Sequence, residues 1–480
     1  MATLSTAQQH AIERIVSPER ARFDLNNRQQ FSFDSGLRPG VRGLNGRTLP
    51  DAVIWPEEEQ EIVSLVELAR SIGLSIVPRG GGTGVYGSAV PVEGGMVVDL
   101  RRLAGVVEVS PDEGLATVRA GTRWTELESE LAAHGVAPRV SPTSAPSATV
   151  GGWLAQGGAG LGSHAFGWMV DNVERARVVG GDGEVHHLDN YDLDSVAAAE
   201  GTTGVITEVV LRVRPTSVDT SVLLILPDIG SLQSAISYVA DWHLPISSAT
   251  FVNARGAARL RRARSVEGSS AAEAVRLSED ELVLHLVYSA HDRERVSEAL
   301  SEVEARTAAR RQPDIMAQRE WANRFRPLRA TFAPGSVPPA DVVVPTRNLA
   351  RFVGDLERRM GKWLAIEGTS VRGWQTVVRV FPTPLMSNPD EASSFTLAVD
   401  VVSLAERHGG HGYATGRYFR GKAASILGTH RIHRLRYAQA WLDPNGLMNP
   451  GKVVFGNALV DRAVQVSAGV RRIAGGHGRR

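Results

Sequence analysis

Glycine is unevenly distributed along this chain. Seven of the 49 glycines fall between residues 80 and 95, and seven more fall between residues 151 and 167. Glycine is needed where a backbone takes positive φ or lies close to a ligand. Tight turns of an α/β fold explain part of the surplus, but both segments lie between apolar stretches, which a flexible glycine-rich linker would lack. The pattern therefore predicts two ligand-binding loops within an ordered domain.

The first glycine segment follows a predicted helix and strand. Acidic residues after Pro56 and apolar residues at helical spacing predict a helix that ends at Gly73. A strand at 74–77 then runs into the loop 78–84, and a second strand is predicted at 96–100. Consecutive small residues after a strand expose backbone N–H groups that can surround phosphate oxygens. We therefore expect this loop to bind phosphate, with the side chains of the arginine and threonine within it as further donors.

Two common nucleotide-binding motifs are excluded by the residues that follow this loop. A Walker A loop needs Lys and then Ser or Thr after its last glycine, whereas Val85 and Tyr86 stand there. Residues 82–87 have the Gly-x-Gly-x-x-Gly spacing of a dinucleotide fingerprint. However, Pro91 and the strand after it leave no room for the helix that this fingerprint opens.

Composition removes several further classes of protein. The chain of 480 residues contains no cysteine, which excludes disulfides, thiolate zinc sites, iron–sulfur clusters held by its own cysteines and cofactors attached through sulfur. Its 53 basic and 52 acidic side chains nearly balance, which argues against nucleic acid or an anionic membrane as the main partner. Residues 1–20 lack a signal-peptide pattern, and no apolar run approaches the roughly 20 residues of a membrane span. We expect a cytoplasmic protein.

The second glycine segment is set among further predicted strands. A helix is predicted at 125–134 before it, and strands are predicted at 173–179 and 185–187 after it. A glycine-rich hairpin turn joins those two strands. Another turn and strand cover residues 200–211.

Five motifs in this order resemble one family. They are residues 50–53, the Arg-Gly-Gly-Gly-Thr-Gly loop at 79–84, Thr-Val-Gly-Gly at 149–152, the turn at 200–208 and the segment 442–452. The chain resembles the flavin-linked oxidases of the vanillyl-alcohol oxidase and p-cresol methylhydroxylase (PCMH) superfamily, and looks most like the glycolate oxidase and D-lactate dehydrogenase branch.

The resemblance implies an α+β fold in which a two-part PCMH-type FAD-binding domain carries an inserted α+β substrate (cap) domain. Chain length agrees, because the roughly 200 residues after the last glycine turn require a second domain. The implied divisions are an FAD-binding domain at 1–215, the cap domain at 216–425, a C-terminal segment at 426–460 that returns to the FAD domain, and a flexible tail at 461–480. Within the cap domain we expect helices near 229–241, 293–309 and 347–360, strands near 221–226, 282–289 and 341–345, and loops or solvated helix faces at 259–264 and 388–394.

The resemblance also implies which residues bind FAD. The pyrophosphate is expected on the first glycine loop, and the ribityl chain and flavin near the second glycine segment. The pyrimidine or adenine side of FAD is expected near residues 204–206. The residues implied are Pro78, Arg79, Gly80, Gly81, Gly82, Thr83, Gly84, Gly87, Thr143, Thr149, Gly151, Gly152, Gly158, Ser163, Gly204, Val205, Ile206 and Asn449. Some members of the family attach FAD through a histidine, but the usual attachment positions near the first loop are not histidine here, so we expect FAD to be bound non-covalently; His164 is the nearest alternative.

The segment 408–422 is the strongest candidate for chemistry, because it combines imidazoles, phenols and cations on a glycine-broken stretch. His411 and Lys422 match the histidine and lysine of a Gly-Glu-His-Gly motif that lies beside the flavin in the resembling branch. We expect His411 to act as a general base or orienting group, with Tyr413, Arg417 and Lys422 around the substrate. Arg324 stands where the branch places an arginine that binds a carboxylate.

The sequence departs from the branch at its metal site. Gly410 replaces the usual glutamate, and residues 367–374 stand where a Gly-His-x-Gly-Asp-x-Asn motif is expected. We therefore predict no metal. His408 is expected to end the preceding helix, where a cation suits the C-terminus. His430 and His433 have a spacing that could bind a metal on a helix, but no carboxylate accompanies them.

The function implied is an FAD-dependent oxidoreductase that oxidises a CH–OH group of a 2-hydroxy acid or polyol-like substrate, with hydride passing to flavin N5. Two alternatives stay open. One is an FAD-binding subunit that passes electrons to an iron–sulfur partner. The other is a non-redox flavoenzyme related to the alkyl-ether-lipid synthases, which carry consecutive histidines near His411.

Overall fold

The computed structural model describes residues 4–36, 48–265, 277–325, 339–382 and 391–453. The tail expected at 461–480 and residues 388–390 of one predicted loop lie outside these ranges. Within them the chain forms three β-sheets and their covering helices, the α+β class that the sequence predicts. Among the described residues, no helix combines the length and apolarity needed to cross a bilayer.

The first sheet carries the first glycine loop. Its four strands have the order β1-β2-β4-β3, and β4 runs parallel to both β2 and β3. Gly73 takes the left-handed conformation (φ 63°) that ends helix α3, as predicted. The elements are α1 Thr6–Val16, β1 Ala21–Arg22, α2 Leu25–Gln30, β2 Ala52–Ile54, α3 Glu59–Ile72, β3 Ile76–Arg79 and β4 Met96–Asp99.

The second sheet carries the second glycine segment. Its strands have the order β5-β6-β10-β8-β9, all pairs are antiparallel, and β7 pairs with the end of β10. The elements are β5 Val106–Ser110, β6 Leu115–Arg119, α4 Trp124–Ala133, β7 Val136–Pro138, α5 Val150–Gln156, α6 Ser163–Phe166, β8 Val173–Val179, β9 Val185–Asp189 and β10 Val205–Pro215.

The third sheet has eight strands in the order β14-β11-β13-β12-β16-β17-β15-β18, again with antiparallel pairing. One of its faces is covered by α7, α9, α11 and α12, whose apolar residues share a single core with the strands. The elements are β11 Asp219–Leu226, α7 Ile229–Asp241, β12 Ile246–Asn253, α8 Ala254–Ser265, β13 Leu282–Ser289, α9 Arg293–Thr307, β14 Arg310–Arg311, α10 Asp314–Ala322, β15 Ala340–Pro345, α11 Leu349–Met360, β16 Ala365–Val371, β17 Gln375–Phe381, α12 Glu391–Arg407, β18 His411–Gly412, α13 Ala423–Leu427 and α14 Thr429–Leu442.

Register shows which residues share the other face of this sheet, because directly opposite residues of paired strands point to the same side. One cross-strand row runs from Leu223 through His285, Thr250, Thr369 and Val377 to Val343 and His411. A neighbouring row contains Glu367, Arg379 and Asp341. Val343 and Val377 pack against Ala159 of the second glycine segment and Trp168 just after it, so this face is turned toward that segment.

The expectation for 259–264 is wrong at Arg259. This residue lies on α8, and its guanidinium is 3.0 Å from the Glu367 carboxylate and 3.7 Å from the centre of the Phe381 ring. Both partners are more than a hundred residues away in the chain, so local charge density alone suggested a solvated face. The sequence also missed strands β12, β16 and β17, which lie inside the third sheet.

Candidate functional site

A cavity of about 190 Å³ lies where the two glycine segments meet the third sheet. It is bordered by the loop after β3, the start of α5, the turn before β10 and residues of β15 and β17. Most of the residues predicted to bind FAD line it, which brings together segments more than a hundred positions apart. They are Pro78, Arg79, Gly80, Gly81, Gly82, Thr83, Gly84, Thr143, Thr149, Gly151, Gly152, Gly204 and Ile206.

Close backbone packing explains the glycines in the first loop. A Cβ at Gly80 would lie 2.2 Å from Thr149 Oγ1, and one at Gly81 would lie 1.9 Å from the Ser147 carbonyl oxygen. A Cβ at Gly84, by contrast, would meet nothing nearer than 3.8 Å. The loop therefore packs directly against residues 147–152, where the second glycine segment begins.

The same loop keeps donors available to a ligand. Within the described ranges, the backbone amides of Gly81, Gly82 and Thr83 donate to no carbonyl of the chain. Amides that face a cavity without an internal acceptor suit the oxygens of a phosphate. The cradle thus fits the pyrophosphate of the dinucleotide that the sequence implies.

Arg79 shapes this cradle. Its guanidinium donates a 2.9 Å hydrogen bond to the Phe33 carbonyl and lies 5.2 Å from the centre of the Phe31 ring. Burial lowers the pKa of Arg79, while the nearby Asp34 carboxyl group acts in the opposite direction. The side chain thus ties the loop to the N-terminal segment, although it also borders the cavity.

Five of the predicted FAD-binding residues lie behind the cavity wall. Gly158 packs against the Trp153 indole, Ser163 Oγ accepts a 2.9 Å hydrogen bond from the Gly160 amide, and Val205 belongs to the core of the first sheet. A Cβ at Gly87 would lie 3.2 Å from that of Arg417. Asn449 donates from Nδ2 to the carbonyl oxygens of Ser88 (2.9 Å) and Glu200 (2.6 Å). These residues support the lining without forming it.

Glu200 is a lining residue that was not among the predicted site residues. Its Oε1 accepts hydrogen bonds from Thr415 Oγ1 (2.8 Å) and the Gly416 amide (2.7 Å), and burial raises the pKa of its carboxyl group. It therefore links the turn before β10 to the candidate segment 408–422. The sequence signal was its place at the start of a glycine turn.

A second cavity of about 170 Å³ adjoins the first. The two share Thr143, Ala159 and Arg379, so Arg379 stands where they meet. The floor of the second cavity is the sheet face that carries Thr250, His285 and Thr369, and its walls include residues of α8 and α10. The sequence predicts β11 and β13 of this floor as strands, but it assigns none of the floor residues to a site, because β12 and β16 were not recognised as strands.

Buried ion pairs surround the junction of the cavities. Arg379 Nε donates to Asp341 Oδ1 at 3.1 Å, and both residues line the first cavity. Burial raises the pKa of Asp341. Burial alone would lower the pKa of Arg379, but the carboxylates of Asp341 and Glu367 outweigh it, and that pKa is raised. The arginine therefore stays cationic, and Asp341 has a more basic carboxylate than a solvated aspartate.

Two of the predicted catalytic residues border the cavities. Tyr413 lines the first cavity, its hydroxyl accepts a 2.8 Å hydrogen bond from the Ala159 amide, and burial raises its pKa to about 12. Arg324 lines the second cavity, where its guanidinium pairs with Glu128 at 3.1 Å and lies 4.7 Å from the centre of the Trp321 ring.

The other three predicted catalytic residues do not border either cavity. His411 Nδ1 lies 2.8 Å from the Gly412 carbonyl oxygen, and burial lowers the pKa of its imidazole. Lys422 Nζ pairs with Glu406 at 2.5 Å. Arg417 packs beside Gly87, and its backbone amide donates to the Tyr86 carbonyl at 2.8 Å.

The remaining histidines lie elsewhere. His408 follows the end of α12 as expected, and its Nε2 is 2.8 Å from the Asp355 carboxylate. His164 is buried with Nδ1 2.9 Å from Ser370 Oγ. His430 and His433 lie on α14. In the part of the chain that the structure describes, no three histidine or carboxylate side chains cluster as metal ligands would.

Two family models match this chain. A family model described as an FAD binding domain matches residues 50–189, and one described as the C-terminal domain of FAD-linked oxidases matches residues 216–453. D-lactate dehydrogenase of Archaeoglobus fulgidus is 24% identical over 426 residues, which are 84% of this chain and 91% of that protein.

Two further proteins are similar to this chain. Alkyldihydroxyacetonephosphate synthase of Dictyostelium discoideum is 31% identical over 210 residues, which are 41% of this chain and only 34% of the synthase. The solved structure of p-cresol methylhydroxylase with substrate bound superposes with a TM-score of 0.76 at 14% identity, over 94% of this chain and 98% of that one. At that identity the superposition establishes the fold.

Proposed function

This chain belongs to the FAD-linked oxidases and uses FAD, as the order of its motifs predicts, and from that premise we propose that it oxidises a CH–OH group of a 2-hydroxy acid or polyol-like substrate. When bound, FAD supplies the acceptor for the hydride at flavin N5. The protein has to bind the alcohol beside that acceptor, receive its hydroxyl proton and exclude water.

The residues of the first cavity would hold FAD. Gly81, Gly82 and Thr83 offer backbone donors to the pyrophosphate, and Thr149 and Gly152 border the adjoining space. The turn at Gly204 closes the far side. Non-covalent binding of FAD stays a prediction.

The observation that carries the proposal is the second cavity, which meets the first at Thr143, Ala159 and Arg379. A substrate in the second cavity would reach the first at this junction. There the chain places a fixed cation, Arg379, and the basic carboxylate of Asp341. An alcohol oxidation needs both a proton acceptor and compensation for negative charge that develops on the flavin.

Asp341 would accept the hydroxyl proton, and Arg379 would orient Asp341 and stabilise the negative charge. Tyr413 would form part of the wall of the first cavity and present a neutral hydroxyl there, since its pKa of about 12 keeps it protonated. His411 is two residues before Tyr413 and would act as a positioning residue of β18. Arg324 would border the substrate from the wall of the second cavity. Arg417 and Lys422, which border neither cavity, would act only by supporting the segment 408–422.

Anaerobic flavin reduction tests the proposal. The FAD-loaded protein would be mixed with a panel of 2-hydroxy acids, diols and polyols without oxygen, and the visible absorbance of the flavin followed. We expect saturable bleaching by at least one member. A flavin that stays oxidised with every alcohol, although dithionite reduces it, would refute the proposal. Bleaching and re-oxidation with candidate acceptors would also test the predicted iron–sulfur partner.

A second candidate is non-redox flavin chemistry. The 31% identity with an alkyldihydroxyacetonephosphate synthase supports it. Incubation of the oxidised enzyme with an acylated dihydroxyacetone phosphate and a long-chain alcohol, in the absence of an electron acceptor, would separate the two. Ether product without net oxidation of the alcohol would favour this alternative.

A further inference from the structure

The lining of the second cavity indicates which alcohol the enzyme takes. We infer that this cavity selects an uncharged, elongated alcohol and holds a distal polar group of that substrate at His285. The inference deepens the proposed oxidation and rests on it. It is carried by the size of the cavity, the pairing of its charges and the position of an unpartnered imidazole.

The cavity is too large for a two- or three-carbon hydroxy acid. A volume of about 170 Å³ accommodates on the order of ten water-sized groups. Much of the lining is apolar and includes Phe251, Trp321 and Val283. Glycolate or lactate would leave most of this space to water, whereas a substrate with an apolar body would fill it.

The charges that line the cavity are paired. Arg324 pairs with Glu128 at 3.1 Å, Arg379 with Asp341 at 3.1 Å, and Glu367 with Arg259 at 3.0 Å. Arg261 and Glu320 contribute one further charge of each sign. A site built for a carboxylate would hold a surplus of cations, and bringing a buried anion to a balanced site costs desolvation energy without a free partner.

His285 is a polar residue of the lining that belongs to none of these ion pairs. It lies on β13 between Leu223 and Thr250, on the sheet face that forms the cavity floor. The residue borders the cavity, and among the described residues its Nε2 is buried without a hydrogen-bond partner. Its ring lies 6.2 Å from that of Trp321 in an edge-to-face arrangement. Burial lowers the pKa of the imidazole to about 4, so the ring is neutral at pH 7.

The distance between His285 and the junction of the two cavities sets the length of the substrate. His285 on β13 and Arg379 on β17 are separated by β12 and β16. Three inter-strand spacings amount to about 14 Å. An alcohol oxidised beside Arg379 would therefore place a hydroxyl or ether oxygen at His285 only if about ten bonds separated the two ends.

Matched substrates test the inference. Decane-1,2-diol, decane-1,2,10-triol, 2-hydroxydecanoate and lactate would be compared by the anaerobic rate of flavin reduction and by calorimetric affinity. We expect the diol to outperform the hydroxy acid and lactate by at least about tenfold, because the acid has a buried charge without a partner. The triol should bind about fivefold more tightly than the diol through one added hydrogen bond. A preference for either acid would overturn the inference.

Substitution of His285 isolates its contribution. In His285→Phe the triol should lose its advantage over the diol, while binding of the diol itself should change little. His433→Phe, on the exposed side of α14, serves as the control. If His285→Phe folds poorly, His285→Leu, at the same place on the apolar strand β13, provides a second test with the same expectation. A triol advantage that survives both variants would refute the role of His285.

Removal of one carboxylate tests the charge argument from the opposite direction. Glu128→Gln leaves Arg324 without its paired charge. We expect this variant to bind 2-hydroxydecanoate at least about fivefold more tightly and the diol equally well. Unchanged discrimination would contradict the charge argument. If no alcohol reduces the flavin in any variant, the proposed oxidation fails, whereas the calorimetric comparison still decides whether the cavity prefers uncharged ligands.

Discussion

The ammonium of Lys452 donates a 2.6 Å hydrogen bond to the carbonyl oxygen of Gly87, and a second one of 2.7 Å to that of Val90. Lys452 is fully buried. Burial lowers its pKa to about 7, and the carboxyl groups of Asp34 and Glu200 act in the opposite direction. The last described segment of the chain is thereby fastened to the residues that follow the first glycine loop.

Lys452→Met should destabilise the protein by about 3 kcal/mol, because it leaves two buried carbonyl groups without their donor. Retention of FAD should fall as well, since these carbonyls follow the glycine loop. Chemical unfolding and the FAD content of the purified protein measure the two effects. Lys362→Met is the control: its ammonium pairs with Asp280 but is 53% exposed, so we expect less than about 1 kcal/mol. Equal behaviour of the two variants would contradict the fastening role.

Gly81→Ala should weaken FAD binding about tenfold or more. The new Cβ would lie 1.9 Å from the Ser147 carbonyl oxygen, so the loop would have to move away from the backbone that precedes α5. Gly354→Ala is a matched control with the opposite sign. Nothing lies within 4 Å of a Cβ at Gly354, which sits within α11, so alanine should stabilise that helix by up to about 1 kcal/mol. FAD titration and thermal unfolding of both variants check the pair, and normal FAD affinity in the first would refute the packing argument.

The first cavity could be predicted from the sequence because its signals are local. Glycines after a strand mark a backbone loop wherever they occur, and in the structure Gly80 of this loop lies against Thr149. The second cavity has no such signal. Thr250, His285 and Thr369 become neighbours only through strand register, and Arg259 and Glu367 pair across more than a hundred residues. The sequence therefore predicts the glycine loops that border the first cavity, whereas the floor of the second cavity was missed.

The segment 408–422 reaches the first cavity through Tyr413 and not through the expected His411. Its imidazoles, phenols and cations predict chemistry for the whole segment, but among the predicted catalytic residues of this segment only Tyr413 borders a cavity. Asp341 and Arg379 were overlooked, although each is a charged residue within an apolar strand. A charge in such a strand needs a buried partner, and that requirement is the signal that could have identified them.

Asp341→Asn should slow substrate-dependent flavin reduction by about a hundredfold, which is typical for the loss of a general base. The amide oxygen can still accept the hydrogen bond from Arg379, so folding and FAD content should be preserved. Because burial raises the pKa of Asp341, the wild-type rate should fall with decreasing pH at a value above that of an ordinary aspartate, and the variant should lack this inflection. Stopped-flow reduction across the pH range measures both. A wild-type inflection that persists in the variant would assign the proton acceptor to another group.

The buried imidazole of His164 should lower the free energy of unfolding in mild acid. Burial lowers its pKa from 6.5 to about 4, so between these values the unfolded chain binds a proton that the folded chain does not. Stability is therefore lost as the pH falls from 6.5 toward 4, and about 2 kcal/mol of the loss should be present at pH 5. Urea unfolding at pH 7 and pH 5 measures it. His164→Gln, which can keep a hydrogen bond to Ser370, should reduce the difference between the two pH values, whereas His433→Gln on the surface of α14 should not. Equal pH dependence of the His164 variant and the wild type would show that other groups cause the acid sensitivity.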